Sequence, residues 1–326
     1  MSQELKAIRT IEDRIISGGH ISQKEALLIS GTKGTQVFDL FASANRIRNH
    51  FQGNKIDVCA IVNAKSGRCP EDCSYCAQSV KSSAEIVPYQ LLCKEDVIKK
   101  AKDAKSGGSR RFCIVTSGKR VSEKEVAVIS GMVREVKKIG LLPCATLGLL
   151  NENDLRELKK AGLVRYHNNL ETSERFFPNI CSTHSYREKI ETIIAAQRSG
   201  LSVCSGGIFG MGETWQDRID MAFLLREIGP DSVPINFLTP VKGTKLGKRK
   251  PLEPIEALKI ISIYRFILPD KQIRVCGGRM QTLGEFHPFI FLAGASGLLS
   301  GNYLTTLGRG FSEDMQLIRQ SGLTVG

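Results

Sequence analysis

At 326 residues, 41% of them hydrophobic and 24% charged, the chain has the composition of a globular enzyme and the length of one α/β barrel or two ordinary domains. No apolar run approaches the ~20 residues of a membrane span, and the opening MSQELKAIRTIEDRIISGGH lacks the apolar stretch of a signal peptide, so a cytoplasmic location is expected. The formal charge of +13 comes from Lys and Arg spread along the chain; the densest run, KLGKRKP, is short and has no interleaved aromatics, which argues against nucleic-acid binding and leaves a solvated loop or the steering of an acidic partner or anionic substrates.

Residues 1–50 carry a helix-like segment, SQKEALLIS, and are expected to form a helical extension ahead of the main domain. From residue 56 onward one unit recurs: a short apolar, β-branched run, a turn, then a stretch with apolar residues every three or four positions. The candidate strands are IDVCAIV (56–62), RFCIVTS (111–117), LLPCATL (141–147), LVRYHNNL (163–170), LSVCSGGIF (201–209), SVPINFL (232–238), QIRVCGG (272–278) and ASGLLSG (295–301). Between them, Ser122 with Glu125 and Ser185 with Glu188 have the spacing of capping boxes, in which side chains satisfy the orphan amides of a helix start. Gly140, Gly162 and Gly200 follow the last apolar position of such helices, where glycine supplies a stop. Eight strands alternating with helices predict parallel crossover units closed into a (β/α)8 TIM-type barrel over 51–305, with an open doubly wound sheet as the alternative. SEDMQLIRQSG predicts a last helix in a tail, 306–326, of the same domain.

Ten cysteines in a chain expected to stay reduced read as ligands, nucleophiles or core residues rather than as a disulfide framework. Cys69, Cys73 and Cys76 fall in AKSGRCPEDCSYCAQS, just after the first predicted strand and so at the carboxyl-terminal mouth where barrel enzymes build their sites. A closed structural zinc site takes four protein ligands, and an iron–sulfur cluster normally takes four thiolates. Three thiolates at this spacing can reach neighbouring corners of one iron–sulfide cube and leave one iron open. A zinc knuckle with a distant fourth ligand and a redox cysteine pair are the alternatives. Cys113, Cys144 and Cys204 each lie inside a predicted strand; since alternate strand residues point into a barrel, the three are expected to converge on a second metal site below the first.

The CxxxCxxC spacing with Tyr75 before the last cysteine resembles the signature of the radical S-adenosylmethionine (SAM) superfamily. The segments SGRCPEDCSYCAQS, RFC, ATLG, HNNLETS, VCSGGIFGMGET, SVPINFLTPVKGT and GRMQ resemble the biotin synthase family, over Cys59 to Arg309. The resemblance implies that Cys69, Cys73 and Cys76 hold a [4Fe-4S] cluster whose open iron is chelated by SAM, and that cleavage of SAM there gives a 5'-deoxyadenosyl radical. It also implies that Cys113, Cys144 and Cys204, with Arg274, hold an auxiliary [2Fe-2S] cluster supplying the sulfur that turns dethiobiotin into biotin. Two C–H bonds become C–S bonds, so two SAM molecules and two electrons are implied per product. Asn169 and Asn236 match residues that hydrogen-bond the ring urea of dethiobiotin, a role suited to side chains that both donate and accept. Gly206, Gly207 and Ile208 match a stretch along the adenosyl group, and Tyr75 matches an adenine neighbour. A flavodoxin or ferredoxin as electron donor and a homodimer follow from the family; acidic donors suit the excess of Lys and Arg.

Three positions depart from the pattern of the best-known members. Glu171 replaces an aspartate at the SAM ribose, and Lys189 replaces an arginine near the SAM carboxylate, where a point-charge ammonium does not reproduce a bidentate fork. Cys276 replaces a serine. Residues two apart on a strand share a face, so Cys276 accompanies Arg274 and is an alternative fourth auxiliary ligand to it, with a cluster larger than [2Fe-2S]. Lys65 and Arg68 flank the loop as candidate anion holders, His167 reads as a packing or hydrogen-bonding residue, and Cys59, Cys93 and Cys181 read as ordinary cysteines. Two other functions stay open: another radical SAM enzyme of this group with a different small substrate, and a zinc-binding structural or nucleic-acid-binding protein.

Overall fold

The computed structural model describes residues 3–304 and 308–326. Three helices come first: α1 (Gln3–Ile16), α2 (Gln23–Ser30) and α3 (Gln36–Gln52). The predicted segment forms α2, started by a capping box in which the Ser22 hydroxyl accepts from the Glu25 amide and the Glu25 carboxylate accepts from the Ser22 amide. Val37, Leu40, Phe41, Ala44 and Ile47 of α3 recur at helical spacing and are buried.

The barrel is built from β1 (Lys55–Lys65), β2 (Arg111–Thr116), β3 (Leu142–Thr146), β4 (Arg165–His167), β5 (Ser202–Cys204), β6 (Gly207–Phe209), β7 (Ser232–Phe237), β8 (Gln272–Val275) and β9 (Gly297–Leu299). All neighbours pair in parallel, and β5 and β6 are two halves of one position, both bonded to β7. β9 returns to β1 through Asp57↔Gly297, Val58↔Leu298 and Cys59↔Leu299, so the sheet closes into eight positions and the open-sheet alternative falls. Seven of the eight predicted runs contain their strands; the first, 56–62, lies inside a longer β1 that extends from Lys55 to Lys65. The fourth is shorter than its pattern, because after His167 the chain bonds to the next strand through loop geometry: the Asn168 amide donates to Cys204 O (3.1 Å), and those of Leu170 and Glu171 donate to Gly206 O (2.9 and 3.1 Å).

Helices α4 (Lys94–Ser106), α5 (Glu123–Lys138), α6 (Glu152–Ala161), α7 (Tyr186–Arg198), α8 (Trp215–Ile228) and α9 (Pro254–Ile267) surround the strands. Both predicted capping boxes form, at Ser122 before α5 and Ser185 before α7, and Gly162 ends α6 in the left-handed conformation at φ 105°. The chain finishes with α10 (Arg279–Leu283), α11 (Phe311–Gln320), which overlaps the predicted last helix, and β10 (Thr324–Val325), which pairs with the start of β1. Among the described residues no helix is long and apolar enough to cross a membrane.

Parity along β1 fixes where the apolar core lies. Ile56, Val58, Ala60, Val62 and Ala64 belong to the large apolar layer shared with the helices, whereas Cys59 and Ile61 face the barrel interior. Barrel interiors are ordinarily filled by layers of branched apolar residues. Here a large share of the inward positions is given to cysteine and arginine.

Candidate active site

A cavity of about 460 Å³ enters the barrel from the carboxyl ends of the strands. At its mouth the loop after β1 folds back on itself: the Cys69 amide donates to Gln78 O (3.0 Å), the Val80 amide to Cys69 O (2.9 Å) and the Gly67 amide to the Gln78 side-chain oxygen (3.1 Å). The Ser74 amide, bonded to Ile180 O (2.9 Å), ties the loop to the segment before α7. Cys69, Cys73 and Cys76 all line the cavity. Burial pushes the Cys69 thiol up and the Cys76 thiol to about 11, while a hydrogen bond to Cys181, with burial, raises Cys73. Thiols kept neutral in this way lose their protons when they ligate a metal, so the donor set fits a thiolate-held centre.

Deeper in, Cys113 of β2, Cys144 of β3, Cys204 of β5, and Arg274 and Cys276 at the end of β8 line the same cavity. The alternation read from the sequence therefore does bring them together, and Cys113 and Cys144 are register partners. Cys59 of β1, read as ordinary, joins them: Cys59, Cys113, Cys144 and Cys276 form one buried cluster with Val115 and Leu299.

Under these thiols lies a charged floor that sequence reasoning missed. Asp57 Oδ2 accepts from Arg274 Nη2 at 2.6 Å and from Arg111 Nε at 2.8 Å, and lies 3.9 Å from Arg165 Nη1. Three guanidiniums face one carboxylate, and Asp57 Oδ1 and Arg111 Nη1 are buried without a partner. Such a floor leaves positive charge uncompensated in a low-dielectric interior, which suits an anionic cluster held by thiolates. Its field reaches Cys204: burial alone would raise that thiol, but His167, its register partner, together with Arg165 and Arg274 brings it down to about 7. His167, read from the sequence as a packing or hydrogen-bonding residue, lines the cavity beside Cys204. Both terminal nitrogens of Arg274 are engaged, Nη2 on Asp57 and Nη1 directed at Asp57 O (3.3 Å) and Leu298 O (3.4 Å).

The remaining candidates form one wall. Glu171 has a left-handed backbone, φ 72°, uncommon for a residue with a side chain and locked by its own bonds to Gly206 and Ile208. Its carboxylate accepts from Asn169 Nδ2 (3.3 Å) and lies 3.9 Å from Lys189 Nζ, which donates to Asn169 O (3.1 Å). Tyr75 and Ile208 pack on one small apolar cluster with Ile180, Met211 and Leu238. Asn169 Oδ1 accepts from the Gly206 amide (3.1 Å); Asn236 Oδ1 accepts from the Gly277 amide (3.0 Å), and its Nδ2 donates to Gly207 O (3.1 Å). Each amide keeps unused donor and acceptor capacity toward the cavity.

Two expectations change. Gly206 and Gly207 are not among the lining residues; a Cβ on Gly206 would fall 2.0 Å from Pro234 O and one on Gly207 2.5 Å from Glu171 O, so their smallness serves strand packing. Lys65 is bound to Glu125 at 2.6 Å, and Arg68 is exposed outside the cavity, so neither stands as an anion holder there.

The comparisons with known proteins agree with this arrangement. The radical SAM superfamily matches residues 64–225, and the Biotin and Thiamin Synthesis associated domain matches residues 234–324. A biotin synthase of Thermodesulfovibrio yellowstonii is 52% identical over 298 residues, covering 91% of this chain and 94% of that protein. One of Geobacter metallireducens is 45% identical over 323 residues, covering 98% of each. Among solved structures, methylornithine synthase (PylB) superposes with a TM-score of 0.84 at 20% identity over 97% of both chains. HydG, a maturase of the [FeFe]-hydrogenase, does so at 0.82 and 16% identity over 98% of this chain and 75% of that one. At such identities these two likenesses speak for the fold alone. The closed barrel and the cysteine loop, with the superfamily match, define a radical SAM enzyme. Within that class the chain belongs to the biotin synthase family, and the structural-zinc and nucleic-acid readings fall away.

Proposed function

We propose that this chain converts dethiobiotin to biotin, with sulfur drawn from the lower part of the cavity. The observation that carries the reading is the presence of two cysteine sets in one cavity, Cys69, Cys73 and Cys76 at its mouth and Cys59, Cys113, Cys144, Cys204 and Cys276 beneath, above the arginine floor. When bound, a [4Fe-4S] cluster with SAM supplies a 5'-deoxyadenosyl radical able to take hydrogen from unactivated carbon, and an auxiliary cluster supplies sulfur.

The chain's own residues bind and orient. Cys69, Cys73 and Cys76 would hold the first cluster and leave a coordination position for SAM. Lys189 stands to pair with the SAM carboxylate and Glu171 to accept from its ribose hydroxyls. Tyr75 and Ile208 offer an apolar face to the adenosyl group. Asn169 and Asn236, fixed by their backbone bonds, direct their remaining donors and acceptors at the urea ring, and the closed barrel keeps water from the radical.

Because both terminal nitrogens of Arg274 are already engaged, Cys276 and Cys59 complete the auxiliary ligand set in this reading. Four thiolates serve a [4Fe-4S] cluster as well as a [2Fe-2S] one, so this ligand set has room for a cluster larger than [2Fe-2S]. Cys276→Ser then lowers the iron and sulfide content of that site and changes its spectrum, whereas Arg274→Lys leaves both in place; the reverse pattern restores the arginine ligand. A flavodoxin or ferredoxin donor is supported by the charge of +13, and a homodimer by the family alone.

The test is anaerobic. Protein reconstituted with iron and sulfide receives SAM, a strong reductant and dethiobiotin, and 5'-deoxyadenosine and biotin are followed by mass spectrometry. The reading expects both, near two to one. Deoxyadenosine without biotin keeps the radical chemistry and overturns the substrate.

A further inference from the structure

Cys181 and His184 lie in the segment before α7, outside every motif used above, yet they meet the cysteine loop. Cys73 Sγ is 3.8 Å from Cys181 Sγ, and Cys181 Sγ is 3.3 Å from His184 Nδ1. With Cys73 they are the one triad among the described residues whose Cys, His or carboxylate ligand atoms all lie within 4.8 Å of one another. We infer that Cys73, Cys181 and His184 form a site for one thiophilic divalent cation, zinc or ferrous iron, which the chain fills before its cluster is built.

The distances suit one ion. Tetrahedral zinc with bonds of about 2.3 Å to sulfur places two ligand sulfurs about 3.8 Å apart, and with about 2.0 to 2.1 Å to nitrogen places S and N about 3.5 Å apart. The observed pairs differ from those values by a few tenths of an ångström at most. Without the ion, thiol hydrogen bonds span the same gaps. Glu71 Oε2 hydrogen-bonds His184 Nδ1 and steadies the imidazole next to the two sulfurs, though its carboxylate is not itself among the ligand atoms that lie together. The His184 and Glu71 side chains are 6% and 9% exposed, and Cys181 is buried, so the ion is shielded. His184 directly precedes Ser185, the N-cap of α7, so its backbone is anchored by the helix start. The three loop cysteines, by contrast, are not within 4.8 Å of one another, a spread that suits a cluster, whose ligands bind separate irons, better than a single ion.

Cys73 cannot serve both centres. An ion held here withdraws it from the loop and must leave, or be built in, when the [4Fe-4S] cluster forms. This competition, unlike the site itself, rests on the reading of Cys73 as a cluster ligand.

The test uses the full chain, freed of iron and kept reduced without oxygen, titrated with Co2+ as a spectroscopic probe. Wild type is expected to show a thiolate-to-cobalt charge-transfer band saturating with one ion that Zn2+ displaces. That band is lost in Cys181→Ser and weakened in His184→Ala, with unchanged circular dichroism, and is kept in the Cys69→Ser/Cys76→Ser double variant. Retention in Cys181→Ser, or loss in the double variant, overturns the site. In a second arm, chain preloaded with Zn2+ is reconstituted with iron and sulfide; cluster formation slows several-fold in wild type but not in Cys181→Ser. Equal rates alongside intact cobalt binding overturn the competition and leave the site standing.

Discussion

Asp57 and Arg274 are joined at 2.6 Å at the foot of the barrel, and the same carboxylate oxygen takes Arg111 at 2.8 Å. Burial alone would raise the Asp57 carboxyl, but Arg274, Arg111 and Arg165 hold it well below the usual carboxylate range. Asp57→Asn strands buried guanidiniums and is expected to cost about 3 kcal/mol in urea denaturation of the cluster-free chain. The loss is smaller once an anionic cluster supplies countercharge. Because the folded pKa is depressed, the contribution of Asp57 is full above about pH 4 and is lost progressively as pH falls from there through the folded value, so the penalty is flat only from neutral pH down to about pH 4.

His287 is buried between Arg279 and Arg309, and burial, with those two charges, brings its pKa down to about 3. The unfolded chain takes up this proton near pH 6.5 and the folded chain does not, so stability is full above about 6.5 and falls as pH drops toward 3, by at most about 1.4 kcal/mol per unit. His287→Gln is expected to flatten this acid limb between pH 6 and about 4, measured by denaturation at stepped pH. An unchanged slope would mean that His287 titrates normally.

Gly206→Ala places a methyl 2.0 Å from Pro234 O, in the middle of the closed sheet. A loss of at least about 2 kcal/mol follows from overpacking against backbone that has nowhere to move. Thermal unfolding of the variant reads it directly.

Lys189→Met removes the buried ammonium that faces Glu171 and Asn169. A hydrogen bond to a charged group contributes about 1.5 to 3 kcal/mol, or roughly ten- to a hundred-fold in affinity. The KM for SAM is expected to rise by that order while the KM for dethiobiotin holds. A rise confined to dethiobiotin would move Lys189 to the other substrate.

The strands, the capping boxes and the two cysteine sets were legible in the sequence because each is a local signal: a short apolar β-branched run, a three-residue cap spacing, closely spaced cysteines after a strand or a cysteine inside one. The floor was not. Asp57 reads as one polar residue in IDVCAIV, and the arginines that explain it lie on other strands, Arg111 at a separation of 54 residues and Arg274 at 217. Cys59 was missed because both faces of β1 are buried, and composition alone does not say which face is inward in a parallel strand. Cys181 lies 108 residues from Cys73 on a segment without periodicity, and only closure of the barrel brings them within 3.8 Å.

Sulfur transfer out of the barrel is the centre of the account, and an isotope reads it most directly. The chain is reconstituted anaerobically with 34S-sulfide, freed of excess sulfide and allowed a single turnover with SAM, reductant and dethiobiotin. The account predicts biotin two mass units heavier, at no more than one molecule per chain, and none from a variant carrying Cys113→Ala and Cys144→Ala that still cleaves SAM. Biotin carrying unlabelled sulfur, or labelled biotin from that variant, would contradict it.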